Sequence, residues 1–387
     1  MKSKFRFTFW NTFFIIMMLL FAVALFRRYF FGLGAISNLN DEMPWGLWIG
    51  FDLLCGVALA AGGFTVTGVV HIFHLEEFKP IVRSTVLTAF LGYLMVIFAL
   101  LVDVGRPWNL WRPFFYWNEH SVMWEVGLCV ATYTTVLFLE FLPLVLERFG
   151  FKKVLHFWKW VTPAFVIAGI LLSTLHQSSL GTLYVIAPEK LHPLWYSPVL
   201  PILFFCSAIP LGLAMTNVES FLSFRAFGKE LENEILQKLG KACAVMLLLY
   251  LTIRIEDLIY RKSIKYAFQL NFASIMFFFE IVVFGIVPLF MLFREKVRRN
   301  PISLFIANFL VVLGTILNRM NVSTTAFQLG TGVKYFPHFY EIVVSISIVS
   351  IGFFLFYLAV RFLPVFPEGP LKEINPRNPI EEFILKK

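Results

Sequence analysis

The sequence predicts an all-α integral membrane protein of about ten transmembrane helices, and three observations predict it. Hydrophobic residues fill 59% of the 387 positions and charged residues 15%, with a mean hydropathy of +0.77. Soluble domains are nearer roughly 45–50% apolar and about 25% charged. The apolar residues come in runs of about 20, the length at which a helix crosses a hydrocarbon core. Lys and Arg collect unequally in the short stretches between runs, as orientation signals do. The net charge of +9 therefore reads as membrane topology and not as a nucleic-acid surface.

Taken in order, the runs predict helices over 8–27, 45–73, 84–104, 120–146, 155–176, 196–217, 242–260, 271–293, 301–319 and 339–362. The first follows Lys2, Lys4 and Arg6 and is closed by Arg27-Arg28. Ala22-Val23-Ala24 resembles a cleavage site, but the long apolar stretch and its closing arginines read as an uncleaved anchor. The second opens at Pro44-Trp45, where proline suits a first helical turn. Its Gly46/Gly50 and Gly56/Ala60 pairs let another helix come close. Asp103 and Arg106 close the third helix, and His120-Ser121 open the fourth. The fifth ends on Ser173, His176, Gln177, Ser178 and Ser179. The seventh carries Tyr250, Arg254, Asp257 and Arg261 on one face. Asn318, Arg319 and Asn321 end the ninth, and His338 and Glu341 begin the tenth.

With both termini cytoplasmic, more than twice as many Lys and Arg fall on inner segments as on outer ones, which predicts that orientation. The charged inner loop is Ser220–Lys241. The outer loops Phe31–Pro44, Arg106–Glu119, Gln177–Trp195 and Val322–His338 are rich in Trp, Pro or Gly. Five units follow. They are an anchor helix and outer loop (1–43), a four-helix bundle (44–187), a second such bundle (188–320), an outer loop with the tenth helix (321–363), and a cytoplasmic tail (364–387). Pro364, Pro367, Pro370, Pro376 and Pro379 predict that the tail is extended. The two bundles read as weak parallel repeats.

Ionisable groups at membrane depth are costly and mark candidate sites. Asp52 lies about two turns into the second helix, roughly 10 Å deep. Glu125 sits at a similar level on the fourth helix, with His120 and Trp124 beside it. His176, Gln177 and Ser179 reach that level from the fifth, and Asp103 and Arg106 from the third. Such convergence suits a polar head group with an apolar tail. A purely structural ion-pair network, with Arg106 bonded to Asp103 or Glu125, is the plainer alternative. Arg254 and Asp257 read as a second, mainly structural patch. Glu280 reads as the most isolated acid, and Glu280, Glu140, Arg254 and Asp257 are the proton-relay candidates.

Cys55, Cys129, Cys206 and Cys243 each lie alone in an apolar run, which fits packing and gives no local metal or cluster motif. The histidines supply no mid-membrane pair of the kind a bis-histidine haem needs. Metal ligands are therefore not expected.

Five motifs then resemble a known family. They are Pro44-Trp45-Gly46-Leu47-Trp48-Ile49 leading into Asp52, Asp103-Val104-Gly105-Arg106-Pro107-Trp108, and His120-Ser121-Val122-Met123-Trp124-Glu125. The others are His176-Gln177-Ser178-Ser179-Leu180-Gly181 and Thr216-Asn217-Val218-Glu219-Ser220. Together they resemble the NrfD/polysulfide-reductase family of membrane subunits, in particular those of the hydrogenase-2 type, known as b-type cytochrome subunits. The resemblance implies a haem-free, quinone-reactive subunit in the bacterial cytoplasmic (inner) membrane. It implies menaquinone or ubiquinone as bound substrate and no haem or iron–sulfur cluster in this chain. The implied partners are a periplasmic four-cluster ferredoxin-like iron–sulfur subunit, hydrogenase or multihaem cytochrome c subunits, and membrane lipid, with no nucleic acid.

On that reading His176 or His120 hydrogen-bonds a quinone carbonyl and delivers a proton. Asp52 and Glu125 orient or relay, and Arg106 steadies negative charge. Trp45, Asp52, Asp103, Trp124, Glu125, His176, Gln177 and Ser179 line the site. Two rivals stay open at this point: a true haem b subunit, and a transporter or proton channel without a redox role.

Overall fold

The structure is a computed structural model that describes residues 9–228 and 233–366. Lys2, Lys4, Arg6 and the tail from Pro367 onward lie outside the described residues. Within them, helices account for nearly everything and no strand occurs. Ten long helices follow one another: α1 (Phe9–Phe31), α2 (Trp48–His71), α3 (Lys79–Asp103), α4 (Val122–Arg148), α5 (Lys152–Val185), α6 (Leu200–Phe227), α7 (Asn233–Tyr260), α8 (Phe272–Phe293), α9 (Pro301–Thr331) and α10 (Phe339–Phe362). Nine are long and apolar enough to cross a membrane. The tenth, α7, has 28 residues, but Arg254, Glu256 and Asp257 dilute its apolar character.

Helix α2 lies deepest. It packs on α3 and α6, and α4 and α5 pair beside it. Helices α6 to α9 form a second group whose α6 and α9 touch α2. Helix α1 lies against α10, with Ser347 bonded to the Met17 carbonyl at 3.2 Å and Phe14 on Phe354. Small residues set the central crossing. A methyl group on Gly212 would stand 2.8 Å from the backbone of Ala61 and Gly62, so α6 and α2 touch backbone to backbone.

Three membrane helices widen locally into π-helical turns, at Trp48–Cys55, Phe279–Ile286 and Asn321–Thr325. Such turns free backbone groups and re-aim side chains, often at functional places. Here they carry Asp52, Glu280 and Asn321.

Two boundaries differ from expectation with consequence. Helix α5 continues nine residues past His176 to Val185, because Gln177 and Ser179 are buried against neighbouring helices rather than solvated. The stretch after Val322, expected as loop, stays helical to Thr331. Counting apolar residues stops at polar ones, even where the fold buries them. The side of the molecule bearing residues 32–47, 104–121, 186–199 and 332–338 is called outer below.

Candidate functional site

Helix α5 turns Ser173, His176, Gln177 and Tyr184 to one side, at spacings that share a helical face. All four are buried, His176 and Gln177 completely. Nδ1 of His176 shares a 2.8 Å hydrogen bond with the Tyr93 hydroxyl of α3. The Tyr93 ring meets Tyr133 of α4 edge-on at 4.6 Å, and the Gln177 amide donates to the Val57 carbonyl of α2 at 3.0 Å. Four helices thus meet around His176.

Four atoms on this face have no hydrogen-bond partner within the protein: Ser173 Oγ, His176 Nε2, Gln177 Oε1 and the Tyr184 hydroxyl. Each such group costs about 1–3 kcal/mol when left unpaired. Four on one face of one helix mark a place that expects polar atoms from outside the chain. Trp45 lies edge-on to Tyr184 at 5.2 Å and packs toward Phe327. The Ser179 hydroxyl turns back to the His176 carbonyl at 3.1 Å.

Asp52 faces elsewhere. Its carboxylate accepts from Ser345 of α10 at 2.5 Å. Arg28 of α1 donates to the carbonyls of Val102 and Val104, at 2.6 and 2.8 Å, on either side of Asp103. Glu341, fully buried, accepts from the backbone of Asn38 at 2.8 Å and from the Tyr335 hydroxyl. The carboxylates of α2 and α3 therefore belong to a joint with α1 and α10, one and a half turns outward of Val57. Sequence reasoning misses Arg28, Ser345 and Tyr93. Arg28 reads there as an orientation signal, and nothing in the spacing links α1 or α10 to α2.

The remaining outer residues are peripheral. His120 is almost fully exposed beside Glu119, 3.9 Å away. Arg106 is exposed and makes no ion pair among the described residues, so the bond to Asp103 or Glu125 of the structural alternative does not form. Glu125 is half-buried, and Trp124 donates its indole N–H to the Pro113 carbonyl at 2.8 Å.

Glu280, expected to be the most isolated acid, is heavily bonded. It accepts from Trp195 at 2.8 Å and from Asn318 and Asn321 at 2.7 Å each. The Arg254 guanidinium stands 3.9 Å away. Arg319, also buried, donates to Ser207 and Asn318 and lies 3.6 Å over the Phe204 ring. A small cavity of about 30 Å³, room for about one water, opens beside Glu280, Tyr250 and Asn318. Asp257 pairs with Arg261 at 2.7 Å and accepts from Ser197. Glu140 packs against Gly169 of α5.

A family model described as "Polysulphide reductase, NrfD" matches residues 35–330. The chain belongs to the NrfD family. A protein of Nitratidesulfovibrio vulgaris is 40% identical over 89% of this chain and 90% of its own length. The probable Ni/Fe-hydrogenase 2 b-type cytochrome subunit of Escherichia coli is 36% identical over 90% and 89%. The integral membrane subunit of a menaquinone reductase of N. vulgaris is 29% identical over 87% and 86%. Like other NrfD-family chains, this one is a multi-pass protein of the cytoplasmic membrane.

The term cytochrome in one relative's name invites a test against haem. A bis-histidine haem needs two imidazoles facing each other at one depth. Of the seven histidines, His176 alone is buried within a helix. His71, His74, His120, His156, His192 and His338 lie at helix ends or in loops and are exposed or half-buried. The residues do not fit that ligand set.

Proposed function

We propose that the chain is the quinone-reactive membrane subunit of a periplasm-facing oxidoreductase complex, with a quinone head group held against His176. The unpaired Nε2 of His176, buried where α2 to α5 meet, carries this reading. A quinone is an apolar ring bearing two carbonyl acceptors, and a site for it needs few, well-placed polar groups in apolar walls. His176 Nε2 and the Tyr184 hydroxyl supply donors for the carbonyls, Gln177 Oε1 accepts from a hydroxyl of the reduced quinol, and Trp45, Tyr93 and Tyr133 supply flat apolar surface. Relatives named as a menaquinone reductase subunit and as a menaquinol oxidoreductase subunit support the substrate class.

In this reading two electrons come from an iron–sulfur partner docked on the outer face, and two protons must reach the quinone oxygens. His176 holds one carbonyl and passes a proton at Nε2, a general acid–base role open to imidazole. Tyr93 fixes the ring through Nδ1. Of the two histidines expected to compete for this role, the position inside the bundle favours His176, and exposed His120 and Arg106 drop out of it. Asp52, about 7 Å outward of Val57 along α2, faces Ser345 and not His176, and in this reading it serves as a relay nearer the outer face. Glu125 stands near the same edge. Glu140, Glu280, Arg254 and Asp257 are not needed for the head group.

The test is quinone turnover by the assembled complex with His176→Ala and His176→Gln. Both variants should assemble with their partner subunits and lose most turnover. Full turnover in both would end the assignment.

A further inference from the structure

The loop between α3 and α4 exposes six aromatic rings: Trp108, Trp111, Phe114, Phe115, Tyr116 and Trp117 are each 45–74% exposed. This is more contiguous apolar surface than a loop bathed in water carries. It is nevertheless fixed. Trp124 binds the Pro113 carbonyl, and Trp117 packs on Trp124 at 5.3 Å. A methyl group on Gly127 would touch the Pro113 ring at 4.0 Å.

That last contact sets the depth. Gly127 lies five residues into α4, about 7 Å along its axis. The helix has 27 residues, about 40 Å, against a hydrocarbon core of ~30 Å. Roughly 5 Å of each end therefore stands among head groups, and Gly127 falls near the boundary with the acyl chains. The loop does not stand up from the helix; it folds back down its flank. The flank is the lipid-facing one, because Met123, Thr135 and Phe138 are exposed on the same stripe as Gly127.

We propose that residues 106–118 form an interfacial segment that binds the phospholipid head-group layer of the leaflet in which α4 begins. Its rings rest at the acyl boundary, where Trp and Tyr are favoured. Arg106 and Arg112, both exposed, are the charged residues of the segment, and they meet lipid phosphates. A soluble partner approaching from the aqueous side would meet the top of the loop, whereas Pro113 is held below the start of α4. The inference is independent of the quinone reading.

The test is tryptophan quenching by brominated phosphatidylcholine, with the full chain in nanodiscs, alone and in its assembled complex. Trp108→Phe, Trp111→Phe and Trp117→Phe together should remove part of the quenching by bromines placed high on the acyl chain, with little change for deep bromines. A nitroxide on Phe115→Cys, in a Cys206→Ser background, checks the placement without removing indoles. It should be more accessible to oxygen than to a water-soluble nickel chelate. Three results would each overturn the proposal: quenching unchanged in the triple variant, a nitroxide that sees mainly the chelate, or shallow-bromine quenching that disappears when the partner subunits bind.

Discussion

The Tyr93 hydroxyl and His176 Nδ1, 2.8 Å apart in the interior of the first four helices, commit one side of the imidazole to the protein and leave the other side free. A neutral imidazole carries one N–H, and the bond at Nδ1 decides whether Nε2 donates or accepts. Tyr93→Phe keeps the ring and its packing on Tyr133 but releases the imidazole. Quinone turnover should fall about 10- to 100-fold, since an acid–base group contributes roughly 10²–10⁴ and this change only disorients it. Assembly should be unchanged, and the pH profile of turnover should move. A profile that keeps its shape while the rate falls would make Tyr93 a packing residue.

Glu280 is expected to be structural. Among the described residues it is the carboxylate bonded into the group formed by Arg254, Arg319, Asn318 and Asn321. Removing one partner of a buried ion pair costs about 3–5 kcal/mol. Glu280→Leu should therefore lower the melting temperature in detergent sharply or prevent accumulation. Glu280→Gln, which still accepts hydrogen bonds, should lose less. If Glu280→Leu melts with the parent protein, the cluster carries no such load.

The crossing of α2 and α6 gives a prediction free of polar chemistry. A methyl group on Gly212 meets backbone atoms of Ala61 and Gly62 at 2.8 Å, and no flexible side chain can move aside. Gly212→Ala should cost about 1–3 kcal/mol, the usual penalty for overpacking. Gly34→Ala is the control, because nothing lies within 4 Å of its added carbon. Thermal melts of the two variants side by side decide the point.

The membrane fold was legible because the ~30 Å hydrocarbon core imposes a length that each apolar run must meet. It faded where polar residues are buried, since Gln177 and Asn321 look like loop to a hydropathy count yet sit in helices. Of the candidate site, His176 and Gln177 could be found from depth alone. The division between them and Asp52 could not, because it depends on which way one turn of α2 faces. The π-helical stretch Trp48–Cys55 aims Asp52 at Ser345, a rotation that residue spacing does not encode. Tyr93 was hidden for a related reason: a tyrosine in an apolar run reads as packing until its hydroxyl finds a partner.

In the outer loop, half-buried His192 packs against Trp195 and Tyr266, and its Nδ1 lies 3.4 Å from the Leu194 amide, which donates to it. Burial holds its imidazole below the ordinary value of about 6.5. The unfolded chain then takes up the proton first, so acid favours unfolding. The stability tied to neutral His192 is complete above about pH 6.5 and drains away as the pH falls toward the lower folded value. His192→Asn keeps an acceptor near Nδ1 and cannot titrate. The melting temperature of the parent should therefore drop further than that of the variant between pH 7.5 and pH 5.5, about one unit to either side of that value. Melts in which the two proteins stay a constant interval apart across that range would show that the ring takes its proton equally well folded or unfolded, and that its cover of Trp195 and Tyr266 does not shield it from water.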